Sequence, residues 1–391
     1  MVRIEQCTEG HLSEETLQLD SYAFQVPLTA ERREVTDKQL EIENIYGLFN
    51  EDSLAAKLNV IPLHLYLGGD IIPFGGIASV ATWPEYRRKG YVAKLLQHAL
   101  KEMHSNGMVL SLLHPFNIGF YRKFGWELTL EKRMICLSPN HIPSVKPSGY
   151  IKQVTYEGNK QELHYLYVQK AKQYGQMINR TEFWWKHRIL SDKELRIIVS
   201  YNDDRQSDGY MLTKIKEGQL CIEEFIYTTN EAWQRLMMWV KNHDSMVDKV
   251  KMLLLPDDPF VFYLNNPHVE EQRQAYFMTR IVDLYEFLRI YPYALTTGEY
   301  TIHLHVQDEY AYWNDGKWTI HLQNGKAQVE KGWQAKADVA LSGNINTFAA
   351  LLLNSQSVEH LQQFGYVQVD GDVRIVKQFI CNRTPALLDF F

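Results

Sequence analysis

Residues 80–93 of the chain read Val-Ala-Thr-Trp-Pro-Glu-Tyr-Arg-Arg-Lys-Gly-Tyr-Val-Ala, and this stretch decides the fold. The alternating apolar run from Phe74 to Thr82 predicts a strand, which Pro84 ends before a basic turn that closes at Gly90. The residues after the turn predict an amphipathic helix, because apolar side chains recur three and four positions apart. These side chains are Val92, Leu95, Leu96, Ala99, Leu100 and Met103.

A strand that passes through such a turn into a helix directs several backbone N–H groups at one point. The helix dipole adds partial positive charge at the same point, so the stretch predicts a binding site for a phosphate group. An ordinary strand-to-helix connection with solvated arginines is the alternative that this pattern alone leaves open.

The whole-chain composition limits the class of protein. At 391 residues the chain is too long for one ordinary core, so we expect two or three domains. It is 45% apolar and 23% charged with a formal net charge of −6, which argues against a nucleic-acid-binding face and suits a cationic small substrate. The N-terminal residues lack the apolar core of a signal peptide, and no run reaches the length of a membrane span. We therefore expect a cytoplasmic protein with no membrane or nucleic-acid partner.

Cysteine and histidine usage gives no sign of a metal site. The four cysteines are far apart and form no Cys-x-x-Cys pair, so we expect reduced thiols. The histidines around the decisive stretch do not stand at metal-ligand spacing from carboxylates or cysteines, and no metal is expected. The residues concerned are Cys7, Cys136, Cys221, Cys381, His64, His98, His104 and His114.

A second motif follows the first by about thirty residues: Phe-Tyr-Arg-Lys-Phe-Gly-Trp-Glu at 120–127. Up to residue 148 the predicted order is strand, two helices, three strands, helix, strand, helix and two short strands from Trp126 to Cys136. With the turn Arg87–Gly90, this order resembles the GNAT acetyltransferase superfamily. The resemblance implies that the turn holds the pyrophosphate of coenzyme A and that the preceding strand edge pairs with its pantetheine arm.

From Gly149 the order of predicted elements partly repeats. Where the first copy has Arg-Arg-Lys-Gly at 87–90, the second has Thr-Thr-Asn-Glu at 228–231. Asn230 is able to cap a helix, but Glu231 repels a pyrophosphate and no glycine permits close approach. We expect residues 149–287 to form a degenerate GNAT-like domain that binds no cofactor.

The last hundred residues change character, because alternating strands flank the turn at 312–316 and short helices follow. This part resembles a sterol carrier protein-like domain, and the whole chain then resembles the enhanced intracellular survival (Eis) type of bacterial acetyltransferase. The expected fold class is α/β (α+β), with three domains. They are a catalytic GNAT domain at 1–148, the degenerate copy at 149–287 and the sterol carrier protein-like domain at 288–391, which supplies the C-terminal carboxylate.

The resemblance implies which residues bind the cofactor. Backbone groups of the strand edge can bond the pantetheine amides and offer an N–H to a developing oxyanion, while the turn holds the pyrophosphate. The chain departs from the usual pattern at Val92, where glycine or alanine is common, and Ala93 is expected to take the close-approach role. The implied cofactor-binding residues are Val80, Ala81, Thr82, Arg88, Lys89, Gly90, Tyr91, Val92, Ala93, Phe116 and Asn117.

Two residues are expected to move protons. A phenol has an ordinary pKa of about 10 and stays protonated at neutral pH, and the resemblance implies that Tyr121 is the general acid. A core tyrosine with a bonded hydroxyl is the alternative. In the family the general base is the C-terminal carboxylate, here that of Phe391, whose apolar tail is able to bury itself in a cleft. A tail that packs on the surface is the alternative, and Asp389 and Glu127 are alternative carboxylates.

These observations predict an N-acetyltransferase that moves an acetyl group directly from acetyl-CoA to a primary amine. The resemblance implies a cationic acceptor of the aminoglycoside type and a homo-hexamer. Two other functions stay open. In the first, the chain is a lipid- or ligand-carrying protein with an acyl-CoA-binding regulatory domain. In the second, it is an acetyltransferase of protein lysines.

Overall fold

The computed structural model describes residues 2–7, 11–30, 33–34, 37–38, 41–294, 298–333 and 336–391. The polar helix predicted for residues 30–40 lies largely outside the described residues. In the described ranges the strands form a twelve-stranded and a five-stranded sheet. No helix in these ranges is both long and apolar enough to cross a membrane.

The strands of the larger sheet are β1 (Val2–Gln6), β2 (Asn44–Asn50), β3 (Ser53–Leu67), β4 (Asp70–Thr82), β5 (Leu110–Leu113), β6 (Glu127–Leu137), β7 (Tyr150–Val154), β8 (Arg196–Tyr201), β9 (Ser207–Lys216), β10 (Gln219–Tyr227), β11 (Lys249–Leu254) and β12 (Glu270–Ile281). The smaller sheet contains β13 (Glu299–Gln307), β14 (Gly316–Gln323), β15 (Lys326–Lys331), β16 (Val339–Asn344) and β17 (Val367–Gly371). The helices are α1 (His11–Phe24), α2 (Tyr91–Ser105), α3 (Ile118–Arg122), α4 (Tyr156–Ala171), α5 (Glu182–Trp184), α6 (Asn230–Lys241), α7 (Leu284–Ile290), α8 (Ile345–Leu352), α9 (Val358–Gln363) and α10 (Val373–Phe379).

The two halves of the larger sheet are joined by an exchange of strands. The strand order is β1-β2-β3-β4-β5-β12-β6-β11-β10-β9-β8-β7, so β12 lies between two strands of the first 148 residues. The sequence pattern did not predict β12, because its first half is a run of exposed polar residues, Glu270–Gln274. Two short strands were predicted for Trp126–Cys136, but β6 is one continuous strand. It pairs with β12 along most of its length and with β11 at Arg133–Leu137.

Strands β4 and β5 diverge and open the sheet. They pair in parallel from Phe74↔Leu110 to Ile77↔Leu113, and β4 then continues to Thr82 with β3 on its other side. A bulge at Ser79, with φ of 49°, marks the point where β4 bends away. The edge of β4 beyond Ile77 therefore carries backbone groups that β5 does not pair.

The second half of the sheet repeats this arrangement. Strands β10 and β11 pair in parallel from Gln219↔Lys249 to Ile222↔Met252, and the register of β10 against β9 also shifts, between Ile222 and Glu224. Helix α6 follows β10 as α2 follows β4. The predicted repetition of the first architecture is thus present in the structure.

The five-stranded sheet has the order β15-β14-β13-β16-β17, and α8, α9 and α10 pack with it. The three helices match the predicted segments, while β17 was not predicted. After α10 the tail leaves this domain for the second half of the larger sheet. There Gly175 N–H donates to the Thr384 carbonyl at 3.0 Å and Ala386 N–H donates to the Gly175 carbonyl at 2.8 Å.

Candidate active site

A cleft of about 1080 Å³ opens where β4 and β5 diverge. It is bordered by the end of β4, the turn before α2, the start of α3, helix α1 and the C-terminal tail. All of the predicted site residues except Lys89 and Asn117 line it. Those that line it are Val80, Ala81, Thr82, Arg88, Gly90, Tyr91, Val92, Ala93, Phe116, Tyr121 and Phe391.

The turn before α2 leaves its N–H groups available to a ligand. Gly90 is the N-cap residue with φ of 75°, and no side chain caps the helix. Arg88 is also left-handed, with φ of 62°, and its side chain is exposed. The first-turn N–H groups of a helix have no intrahelical partner, so an uncapped N-terminus that lines a cleft fits a diphosphate. Lys89 does not line the cleft, and its Nζ lies 5.0 Å from the ring centre of Tyr86.

The end of β4 supplies a second polar surface. Ala81 and Thr82 pair with β3, Val80 lies in the bulge, and all three residues line the cleft. The Oγ1 of Thr82 is buried and has no hydrogen-bond partner among the described residues. An extended amide-containing chain laid along this edge would satisfy these groups, which is the geometry of an added strand.

Tyr121 lies on α3 at the bottom of the cleft. Asn117 caps this short helix by accepting from the Phe120 N–H at 2.8 Å, which explains why Asn117 itself does not line the cleft. The Tyr121 side chain is 2% exposed, and burial raises its pKa above the ordinary value. No described residue hydrogen-bonds its hydroxyl, whereas the buried hydroxyls of Tyr167 and Tyr291 donate to carbonyls at 2.8 and 2.7 Å. The phenol therefore stays protonated and is free to act on a ligand.

The C-terminal tail reaches the cleft through the notch between β4 and β5. The Phe391 ring packs against Phe277 with the ring centres 4.8 Å apart. A side chain at Gly76 would meet this ring, since an added Cβ would lie 2.6 Å from its Cε2. Glycine at this position of β4 is therefore needed for the tail to lie where it does.

The two alternative carboxylates are engaged elsewhere. Asp389 is buried and accepts from Arg180 Nε at 2.8 Å and from Trp184 Nε1 at 2.7 Å. Glu127 accepts from Arg122 Nη2 at 2.6 Å. Neither lines the cleft, so Asp389 anchors the tail and Glu127 holds the end of α3.

The part of the cleft wall that α1 forms was not predicted from the sequence. Five residues of α1 line the cleft, and apart from Ala23 they stand at the spacing of one helical face: Leu17, Asp20, Ser21 and Phe24. That spacing was a signal in the sequence, but its mixture of polar and apolar side chains did not mark it as core or surface. His114 directly follows β5 and also lines the cleft, and burial lowers its pKa. Arg188 comes from the second half of the sheet, and no local pattern indicates its place.

Metal ligation has no support in the described ranges, where no group of three or more His, Cys, Asp or Glu side chains is placed to hold an ion. The four cysteines are free thiols. Burial raises the pKa of Cys7 and of Cys381, which keeps these two protonated at neutral pH.

Known families match three consecutive segments of the chain. An acetyltransferase (GNAT) domain matches residues 4–129, a second acetyltransferase (GNAT) domain matches 176–282, and a sterol carrier protein domain matches 284–388. The N-acetyltransferase Eis of Mycobacterium tuberculosis and that of Mycobacterium bovis are each 22% identical over 285 residues, which is 68% of either chain.

Solved structures match over the full length. A conserved protein from Enterococcus faecalis V583, described as a probable N-acyltransferase, is 29% identical with a TM-score of 0.93, and 100% of each chain is covered. A GCN5-related N-acetyltransferase from Anabaena variabilis is 24% identical with a TM-score of 0.88 and the same coverage. Eis1 from Mycobacterium abscessus is 18% identical with a TM-score of 0.82, again over both full chains.

The fold and these matches define an N-acetyltransferase of the GNAT superfamily that uses acetyl-CoA. Within that superfamily, two GNAT domains followed by a sterol carrier protein domain and the similarity to the mycobacterial Eis enzymes support the Eis type. The predicted fold class and the predicted enzyme class are both confirmed.

Proposed function

We propose that the protein transfers an acetyl group from acetyl-CoA directly to a primary amine in the cleft between β4 and β5. The observation that carries this proposal is the position of Tyr121. Its buried, protonated and unpartnered hydroxyl lines the same cleft as the uncapped N-terminus of α2. Acetyl-CoA, when bound, supplies the acetyl group on a thioester.

The proposed binding groups are those of the turn and of the strand edge. The N–H groups of Tyr91, Val92 and Ala93 face the pyrophosphate, and Arg88 adds charge. The edge of β4 from Val80 to Thr82 binds the amide-containing arm. Phe116 is 70% exposed at the mouth of the cleft and offers an apolar surface to the same ligand.

Tyr121 is proposed as the general acid. Its raised pKa keeps the proton on Oη, where a departing thiolate requires one. The alternative of a core tyrosine with a bonded hydroxyl is not supported, since no described group bonds it.

The carboxylate of Phe391 is proposed as the base that takes a proton from the amine. Its support is the place of Phe391 in the wall of the cleft and the buried anchor at Asp389, which fixes the tail two residues earlier. A carboxylate held by a fixed tail costs little reorganisation when it accepts a proton.

The division of labour follows from these assignments. Residues 1–148 are proposed to bind acetyl-CoA and carry Tyr121. Residues 149–287 are proposed to act structurally without cofactor, and residues 288–391 to deliver the tail. Aminoglycosides, protein lysines and a hexamer stay predictions from the resemblance, and a cytoplasmic location stays a prediction from the sequence pattern.

The lipid-carrier alternative is not favoured. The interior of the sterol carrier protein domain is filled by its own side chains, with Leu304, Val306 and Phe348 each at most 1% exposed. The tail also leaves this domain for the cleft. That arrangement is expected of a domain that positions the tail rather than of a domain that carries a lipid.

The proposed function is tested by a panel of primary amines incubated with acetyl-CoA and the purified protein, with release of free thiol as the readout. Amine-dependent release of coenzyme A is expected. A panel in which no amine raises release above the hydrolysis background would contradict the proposal.

A further inference from the structure

One part of the cleft lining carries charged groups that neutralise one another. We call this region the acceptor end and define it by Asp20, Glu43, Asn59 and Arg188 together with the apolar residues of α1 beside them. Under the proposed function the amine must enter here, because the turn and the strand edge hold the cofactor. The charges of this region therefore select the acceptor.

Asp20 is neutralised by a buried lysine. Lys57 extends from β3, its side chain is 1% exposed, and its Nζ lies 2.5 Å from Asp20 Oδ2. The same ammonium donates to Asn59 Oδ1 at 3.2 Å. A carboxylate that already faces a buried ammonium has less attraction left for a second cation.

Glu43 is neutralised in the same way. Its side chain is 4% exposed, and it accepts from Arg188 Nη2 and, at 2.6 Å, from Asn59 Nδ2. Asn59 thus links the two ion pairs. Both acidic side chains that line the acceptor end among the described residues are engaged, so this end is not an open anionic site.

Two donors of this network, Nε and Nη1 of Arg188, have no acceptor among the described residues. Arg188 lies against Trp184, with its Cζ 5.5 Å from the ring centre, and its side chain is 16% exposed. Its Nη2 is used by Glu43, while no described residue accepts from Nη1. Arg180 in the same structure holds Glu224 and Asp389 at once, so a second oxygen partner is compatible with an arginine that is already paired.

The rest of the acceptor end is apolar. Leu17, Phe24, Val26 and Leu28 line it from α1 and the segment after it, and Phe390 lines it from the tail. An acceptor with several ammonium groups would bury charges against these side chains, and besides the proposed base at Phe391 no unengaged carboxylate among the described lining residues would receive them.

From this arrangement we infer that the acceptor is a molecule with one primary amine on an apolar body, with a carboxylate or carbonyl oxygen that binds Arg188 Nη1. The inference rests on the proposed function and narrows its acceptor class away from polycations. Arg188 is then a specificity-determining residue that the second GNAT domain contributes to the first domain's site.

A matched set of amines tests the inference on the full-length protein: phenethylamine, phenylalaninamide, phenylalanine and the aminoglycoside kanamycin. We expect kcat/KM for phenylalaninamide or phenylalanine to exceed that for phenethylamine by about ten-fold or more, the worth of one charge-assisted hydrogen bond, and kanamycin to be the poorest acceptor. Preference for kanamycin would overturn the inference and leave the proposed function standing. No turnover of any amine would count against the proposed function itself.

The Arg188→Gln variant tests the residue. The ratio of kcat/KM between phenylalaninamide and phenethylamine is expected to fall about ten-fold, and Arg205→Gln, which removes an exposed arginine, should keep the wild-type ratio. An unchanged ratio in Arg188→Gln contradicts the assignment. Arg188→Gln also leaves Glu43 without its cationic partner. The double variant Arg188→Gln/Glu43→Gln removes both charges. It is expected to show the same loss of the kcat/KM ratio, with a melting temperature near that of the wild type.

Discussion

The two GNAT copies share the same strand geometry, yet one of them leaves its helix N-terminus open and the other closes it. In the first copy Gly90 begins α2 and provides no side-chain cap. In the second copy Thr229 begins α6, and its Oγ1 accepts from the Ala232 N–H at 3.1 Å. Thr229 therefore takes the capping role that the sequence analysis assigned to Asn230, and Glu231 adds a negative charge in the first turn.

The space beside the diverging strands also differs. In the first copy it is the cleft, and in the second Phe260 packs against Phe225 and Trp233 at ring-centre distances of 6.1 and 5.8 Å. The second copy uses its interior for another purpose, because the buried Arg180 pairs with Glu224 and with Asp389 of the tail. The comparison teaches that a few residues at one turn decide whether the helix N-terminus is open or capped within one architecture, and on this difference we base the proposed division into a cofactor site and a support.

The largest expected effect tests whether only the first copy carries chemistry. Tyr121→Phe removes the proposed acid and should lower kcat by roughly two to four orders of magnitude, with the affinity for acetyl-CoA nearly unchanged. Tyr263 stands after β11 much as Tyr121 stands after β5, so Tyr263→Phe is the matched control and should leave kcat unaltered. Steady-state kinetics and calorimetry provide the readouts, and a Tyr121→Phe enzyme with normal turnover would remove the acid assignment.

The second effect concerns the tail that crosses from the second copy into the first. One glycine appended after Phe391 displaces the proposed base and should lower kcat by about two orders of magnitude. One glycine placed before Met1 serves as the control and should have no effect. Equal activity of the two extended proteins would show that another group takes the amine proton.

The third effect tests the second copy as a support. Asp389→Asn removes one of the two carboxylates from Arg180 and should lower the free energy of unfolding by about 3 kcal/mol and kcat by about ten-fold. Glu271→Gln, which weakens a partly exposed pair with Arg133, should have a smaller effect on both. Thermal unfolding and kcat are measured on the same proteins. An Asp389→Asn protein of wild-type stability would contradict the role of Asp389 as the anchor of the tail.

The smallest expected effect concerns the pH dependence of kcat, which should stay flat where an exposed tyrosine would lose its proton. Burial raises the pKa of Tyr121 above the ordinary phenol value of about 10, so the acid keeps its proton to higher pH than an exposed tyrosine. The kcat of the wild-type enzyme should therefore not decline between about pH 8 and pH 10. A half-maximal kcat at or below pH 10 that disappears in Tyr121→Phe would contradict this environment for the hydroxyl.

Local patterns predicted the architecture better than they predicted the site. The strand and helix around Gly90 and the repeated order of elements follow from short-range periodicity, and so the fold was predictable. The exchange of β12 into the first half of the sheet was not, since pairing between residues 150 positions apart leaves no local signal. For the same reason the sequence indicated the turn and strand edge that line the cleft, while Asp20, Glu43 and Arg188, which line it from other elements, were apparent only from the structure.

The central claim is that the first copy holds acetyl-CoA and the second does not. Reciprocal variants test it most directly: Val92→Glu gives the first turn of α2 the charge that Glu231 gives α6, and Glu231→Val removes that charge from α6. By calorimetry we predict one acetyl-CoA per wild-type chain, an affinity about ten-fold lower in Val92→Glu, and wild-type binding in Glu231→Val. Two acetyl-CoA molecules per chain, or a loss of affinity in Glu231→Val with none in Val92→Glu, would contradict it.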